Sequence, residues 1–200
     1  VQAVCAGRAF LAGTQPQRQA GFGYADGSVR LWHGDRLVAT CVPAPGFRVT
    51  AAAAADDGAV LVTGCEDSLV RVYSIHTLGN NSSSSSDDSS SNSSSESDDA
   101  SAARSRSGSS SSNVFALEAC LAGHNAAVSC VAVSRDYSVI VSGAADGRCI
   151  VWDLNEGAFI AALRVAMKAP DDAAGPVVCV DVHGVTGEIA ACTASRVTLW

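Results

Sequence analysis

Short apolar runs broken by turn residues organise this chain. In residues 128–133, 138–142, 149–154 and 158–163 Val, Ile, Cys and Ala dominate, and between them stand Ser134-Arg135-Asp136-Tyr137, Ala145-Asp146-Gly147-Arg148 and Asn155-Glu156-Gly157. Runs this short, bounded by Asp, Asn, Gly and Ser, predict β-strands joined by tight turns. Val131 and Val133 alternate with Ala132 and Ser134, which is the period of a sheet, and no window sustains a helical period. The unit is therefore four strands in succession.

The same pattern is written more than once. Residues 49–73 align on 128–152 without a gap, so that Thr63 matches Ser142, Gly64 matches Gly143, Asp67 matches Asp146 and Tyr73 matches Trp152. A third copy, carrying Ala25, Asp26, Gly27, Val29 and Leu31, ends at Trp32, and a degenerate fourth ends at Trp200 with Ala194 where the Asp would fall. The aromatic ends lie 41, 79 and 48 residues apart; removing the 34 residues of a serine tract at 80–113 shortens the middle interval to 45. A period in the forties is that of a four-stranded propeller blade. The predicted fold is all-β, about four such blades interrupted by a serine- and aspartate-rich loop.

Gly123-His124, followed by Asp146 and Trp152-Asp153, resembles a WD repeat of the WD40 β-propeller family. The resemblance implies a hydrogen-bonded tetrad inside the blade, carried here by His124, Ser142, Asp146 and Trp152. The second unit keeps Thr63, Asp67 and Tyr73 with Pro45 in the His position, and the first keeps Asp26 and Trp32 with Phe22 in the Ser position. Residues 123–164, supported by 186–192, more narrowly resemble the C-terminal propeller of BEACH-domain proteins, the neurobeachin and lysosomal trafficking regulator group. That resemblance implies scaffolding in vesicle traffic, lysosome-related organelles or autophagy, with a BEACH domain upstream. The chain is then expected to be a propeller fragment, with blades at 1–79 and 114–200 on either side of the tract.

Residues 80–113 contain no aromatic and no β-branched residue, so they cannot bury enough apolar surface to offset the entropy of ordering, and they are expected to be disordered. They fall between the third and fourth strands of the second unit, on the side opposite the turns of Asp67 and Asp146. Ser84, Ser85, Ser93 and Ser95 each precede an acidic residue by three positions, a pattern suited to acidophilic kinases. The preferred reading is a tolerated surface expansion, since loop closure entropy grows slowly with length.

Charge and cysteine usage narrow the classes. The net charge is −7, and no basic stripe with interleaved aromatics is present, which argues against nucleic-acid binding. Eight cysteines show no metal-ligand spacing and no C-x-x-C pair, so they are read as small apolar core residues in a reducing, cytoplasmic setting. No apolar run approaches the length of a membrane span, which leaves peripheral association through the parent protein as the expected membrane contact.

His124, Ser142 and Asp146 are also the residue types of a nucleophilic triad. The Ser/Thr and Asp recur in the second unit without the His, so the expectation is a blade scaffold, no catalytic residue and no cofactor. Asp56-Asp57-Gly58 and Asp171-Asp172 are read as solvated turns and not as a cation site. The expected function is a protein-binding platform. Its partner face is formed by Asn125 to Ala127, the turns at Cys65-Glu66 and Ala144-Ala145, and residues 166–176. The alternative is a substrate receptor of a cullin-type ubiquitin ligase; against it, Trp152-Asp153-Leu154-Asn155 places Asn where that class carries Arg.

Overall fold

The structure is a computed structural model that describes residues 3–6, 19–33, 35–77, 113–165 and 175–200. The first sheet runs in the order β1 (Ala3–Ala6), β2 (Gln19–Tyr24), β3 (Val29–His33) and β4 (Arg36–Cys41). The second contains β5 (Val49–Ala54), β6 (Val60–Cys65), β7 (Leu69–Thr77) and β8 (Asn113–Ala122), and the third β9 (Val128–Ser134), β10 (Val139–Ala144), β11 (Arg148–Asp153) and β12 (Phe159–Arg164). A fourth, of three strands among the described residues, contains β13 (Val177–Val182), β14 (Ile189–Thr193) and β15 (Arg196–Leu199). Every neighbouring pair is antiparallel and sequential. The all-β blade architecture read from the sequence is the one observed.

Strand register shows that the four units are one motif. Ala20↔Trp32, Leu61↔Tyr73 and Ile140↔Trp152 are equivalent pairs, and Ile189 completes the set by exchanging backbone hydrogen bonds with Trp200 at 3.0 Å each way. The β14–β15 turn is one residue shorter than the β10–β11 turn, Thr193 pairing with Arg196 across two residues. That deletion is why the Asp-to-aromatic interval fails in the last copy. In the third unit the sequence-predicted strands are displaced by a residue or two: Ser138, expected to open β10, instead closes the preceding turn with a φ of 53°.

Each sheet packs on the next through a repeated contact. Val49, Val128 and Val177, at the start of a first strand, are wholly buried against Gly23, Gly64 and Gly143 of the preceding sheet. A β-carbon on Gly143 would stand 2.6 Å from Val177 Cγ1, and the other two glycines would clash harder. The absence of a side chain on the second strand is therefore what lets the valine in. A hydroxyl reinforces two of these joints: Thr50 Oγ1 lies between Gly64 O, at 3.0 Å, and Val128 O, and Ser129 Oγ between Gly143 O, at 3.1 Å, and Val177 O, each sharing its one O–H proton between the two carbonyls. Farther out, Arg135 Nε meets Asp57 Oδ2 at 2.9 Å between the second and third sheets, and Tyr137 OH donates to Val185 O between the third and fourth. Asp57, read from sequence as solvated, is thus a cross-sheet partner; Asp171-Asp172 lie outside the described residues.

The serine tract joins strands of one sheet. Thr77 and Asn113 are Cα partners at the open end of the β7–β8 ladder, so the tract enters and leaves across a single strand pair. Asn113, which the sequence reading gave to the tract, belongs to β8. The tract itself, with Ser84, Ser85, Ser93 and Ser95, lies outside the described residues.

Candidate functional site

The β10–β11 turn encloses a polar network. Asp146 Oδ1 accepts the Arg148 amide at 3.0 Å, and Gly147 takes a φ of 77°, which suits glycine. The other carboxylate oxygen accepts the Asn125 amide at 3.1 Å, tying the turn to the segment before β9 and bringing His124 inward. His124 Nδ1 then faces Asp146 Oδ2 at 3.5 Å, while Nε2 lies 2.8 Å from Ser142 Oγ. Trp152 Nε1 donates to the same Ser142 Oγ at 2.8 Å. The structure thus gathers His124, Ser142, Asp146 and Trp152 into one network linking β10, β11, the turn between them and the loop before β9.

Its electrostatics favour a neutral imidazole. Burial lowers the His124 pKa below its ordinary value and outweighs the opposing pull of Asp146. For Asp146 burial acts upward, but the amides of Asn125 and Arg148, with His124, hold the carboxyl below its usual range. With Nε2 accepting from Ser142 O–H, Ser142 Oγ accepts from the indole. Ser142 is 0% exposed and His124 7%, so the hydroxyl and the imidazole are both buried inside the sheet. The arrangement braces a blade.

The second sheet solves the same turn without a His. Pro45, in that position, is exposed, and Asp67 instead receives two N–H groups of Arg71, one at 3.1 Å. The pair is buried, with side-chain exposures of 6% and 12%. Burial pushes the Asp67 pKa up, yet the bonds from Arg71 and the Leu69 amide hold it below the ordinary carboxylate range. Tyr73 is fully buried and stacked on Phe115 with centroids 5.0 Å apart, its phenol facing Thr63. In the first sheet Asp26 bonds Ser28 N at 2.9 Å and Arg30 at 3.2 Å, while Trp32 Nε1 has no hydrogen-bond partner among the described residues, as expected with Phe22 in place of a hydroxyl. Arg30 and Arg71, each four residues after the Asp, escaped the sequence reading. The signal was present: the two units without His carry Arg where the third has Ile150.

The exposed chemistry lies at the sheet ends. Asn125, Ala145 and Glu66 are exposed there, but Cys65 and Ala144, expected in the same turns, are buried strand residues. The β4–β5 link adds what the sequence reading omitted: Val42 at 52% and Phe47 at 49% exposure, with Arg48 Nε 3.7 Å from Glu66 Oε1. Of the segment 166–176, only Gly175 and Pro176 lie within the described residues. Both are exposed.

Comparison with known proteins decides the family of the repeat. The model of the WD domain, G-beta repeat, matches residues 36–74 and 115–153, which are β4 through most of β7 and β8 through β11. The chain carries WD40 repeats. The relatives it matches include a BEACH domain-containing protein. It is 27% identical over 182 residues to BEACH domain-containing protein A2 of Arabidopsis thaliana, covering 90% of this chain and 4% of that protein. Against WD repeat- and FYVE domain-containing protein 4 of Mus musculus, identity is 32% over 84 residues, 42% of this chain and 2% of the relative. Beige protein homolog 1 of Schizosaccharomyces pombe matches at 44% over 50 residues, 25% and 2% respectively. The chain thus spans a small fraction of the length of the relatives it matches. WD40 repeats are generally a non-catalytic scaffold for protein–protein interaction, in keeping with the buried tetrad of the third sheet.

Proposed function

We propose that this chain is a protein-binding module of a BEACH-type protein, acting on the cytoplasmic side of vesicle, endosomal or lysosomal membranes in trafficking or autophagy. Partner proteins bind the sheet ends that carry Val42, Phe47, Arg48, Glu66 and Asn125, and membranes are reached through other parts of the parent protein. The observation that carries this reading is the division of polar residues. His124, Ser142 and Asp146 are turned inward, which leaves recognition to an exposed Phe and Val beside an Arg–Glu pair, the mixture of apolar anchor and polar rim found at interfaces.

The test is quantitative affinity capture from cytosol and from endosomal and lysosomal membranes, comparing the chain with Phe47→Ala, Glu66→Lys and a variant on the opposite sheet ends, Glu156→Lys. Partners on membranes lost with Phe47→Ala or Glu66→Lys and retained with Glu156→Lys support the reading. Partners indifferent to all three overturn the proposed face, and recovery of a cullin adaptor would replace trafficking with ubiquitin-ligase recruitment.

A further inference from the structure

Register equivalence singles out one cross-strand position of the fourth sheet. The pairs Cys5↔Gly23, Ala51↔Gly64 and Cys130↔Gly143 each include the glycine that receives the valine of the following sheet. In the fourth sheet the matching pair is Cys179↔Cys192. Val180 and Ala191, their neighbours, join the core shared with the third sheet. Alternate strand residues point to opposite faces, so the two thiols lie together on the side turned away from it. Cys179 is exposed, Cys192 partly so, and both are free. Cys179 and Cys192 are direct Cα partners across the β13–β14 ladder.

The geometry suits a covalent bond. Opposed residues of an antiparallel pair have Cα atoms about 4.5–5.5 Å apart, inside the span of roughly 4.4–6.8 Å that a disulfide bridges. The third sheet offers a direct comparison: Cys130 Sγ lies 2.7 Å from the point where a β-carbon of Gly143 would stand. In the fourth sheet that carbon exists and carries a thiol. We infer that Cys179 and Cys192 form a reversible redox site, closing as a cross-strand disulfide in exchange with a low-molecular-weight disulfide of the glutathione class.

The exposed Cys179 reacts first. Its thiolate attacks one sulfur of oxidised glutathione, forming a mixed disulfide and releasing one glutathione thiolate; the Cys192 thiolate then attacks the Cys179 sulfur and releases the second. Two protein thiols are oxidised, one glutathione disulfide is reduced, and the two protons pass to the released thiolates. Burial holds the Cys179 thiol above its ordinary pKa, so closure accelerates as pH rises. The cysteines of the third sheet are poorly placed for entry: burial pushes Cys130 up to about 11 and Cys149 up to about 12.

The experiment equilibrates the full chain with defined ratios of oxidised and reduced glutathione, quenches in acid, alkylates, and maps tryptic peptides by mass. Residues 169–196 form one peptide whose only cysteines are Cys179 and Cys192. The expected result is that this peptide becomes unalkylated and two hydrogens lighter than its dithiol, and that excess reduced glutathione reverses the change. With Cys192→Ser, Cys179 should stop at the glutathione adduct. The inference is overturned if both cysteines remain alkylated at every ratio, if each carries its own glutathione, or if either pairs with another peptide.

Discussion

Arg71 holds Asp67 through two N–H groups in the second sheet, performing from the third strand the task that falls to His124 beside Asp146 in the next sheet. A carboxylate drawn into a turn must be paired, and the fold accepts either a neutral imidazole or a guanidinium. Removing the guanidinium strands the carboxylate. Arg71→Ile, which installs the residue of the equivalent third-sheet position, should cost about 2–4 kcal/mol in urea unfolding. Asp67→Asn in the same chain should recover a large part of that loss. A single-variant loss below about 0.5 kcal/mol would show that the pair contributes little.

Acidification should weaken the third sheet before the carboxylates titrate. His124 has a folded pKa below its ordinary value, so as pH falls through about 6.5 the unfolded chain binds the proton first. Stability present above that pH is then lost progressively below it. Asp146 and Asp67, depressed from 3.8, add a second and separate loss at lower pH. Comparing unfolding midpoints at two pH values, one above and one below the histidine range, should show a drop that is reduced in His124→Gln.

Ser68 sits in the left-handed region with a φ of 68°, where the equivalent turns of the first and third sheets use Gly27 and Gly147. A β-carbon there is strained by roughly 1–2 kcal/mol. Ser68→Gly should therefore stabilise the chain, by less than that strain because glycine also gains entropy when unfolded. A lowered thermal midpoint would contradict this.

How much of this was legible without coordinates depends on where the information lies. The repeat placed Trp32, Tyr73, Trp152 and Trp200 correctly because register is a property of sequence spacing, and the equivalent strand pairs fall in the same places. The gathering of His124, Ser142, Asp146 and Trp152 came through a family resemblance more than through chemistry. Arg71 was missed because a charged residue within a strand reads as solvent-facing until its partner is seen. Cysteine was read too uniformly: Cys65, Cys130 and Cys149 are buried, whereas Cys120 and Cys179 are exposed. Alternation alone cannot tell which sheet face another sheet will cover.

Replacing residues 78–112 with Asn-Gly should leave folding unchanged, because Thr77 and Asn113 already stand opposite each other and a two-residue turn closes such a ladder. Partner binding should also persist, since the tract leaves from the sheet end opposite Glu66. A fall of more than about 1 kcal/mol in stability, or loss of captured partners, would assign the tract a role beyond connection.

Trp152→Phe should cost about 1–3 kcal/mol, since it removes the indole donor to a wholly buried hydroxyl and leaves space beside Gly123. Ser142→Ala in the same background should add less than it costs alone, the signature of a shared network. Strict additivity of the two would sink that account.

The valine-into-glycine joints also give the stack a direction. Each of the first three sheets offers a recess on its second strand and receives from its successor a projection on the first, so the two faces of such a sheet are complementary to each other and not to themselves. Such contacts propagate head to tail; a two-fold pairing of like faces would set recess against recess. Cys192 fills the position of the recess in the fourth sheet, so any structure seated on that face must fit a surface of different shape from the three before it.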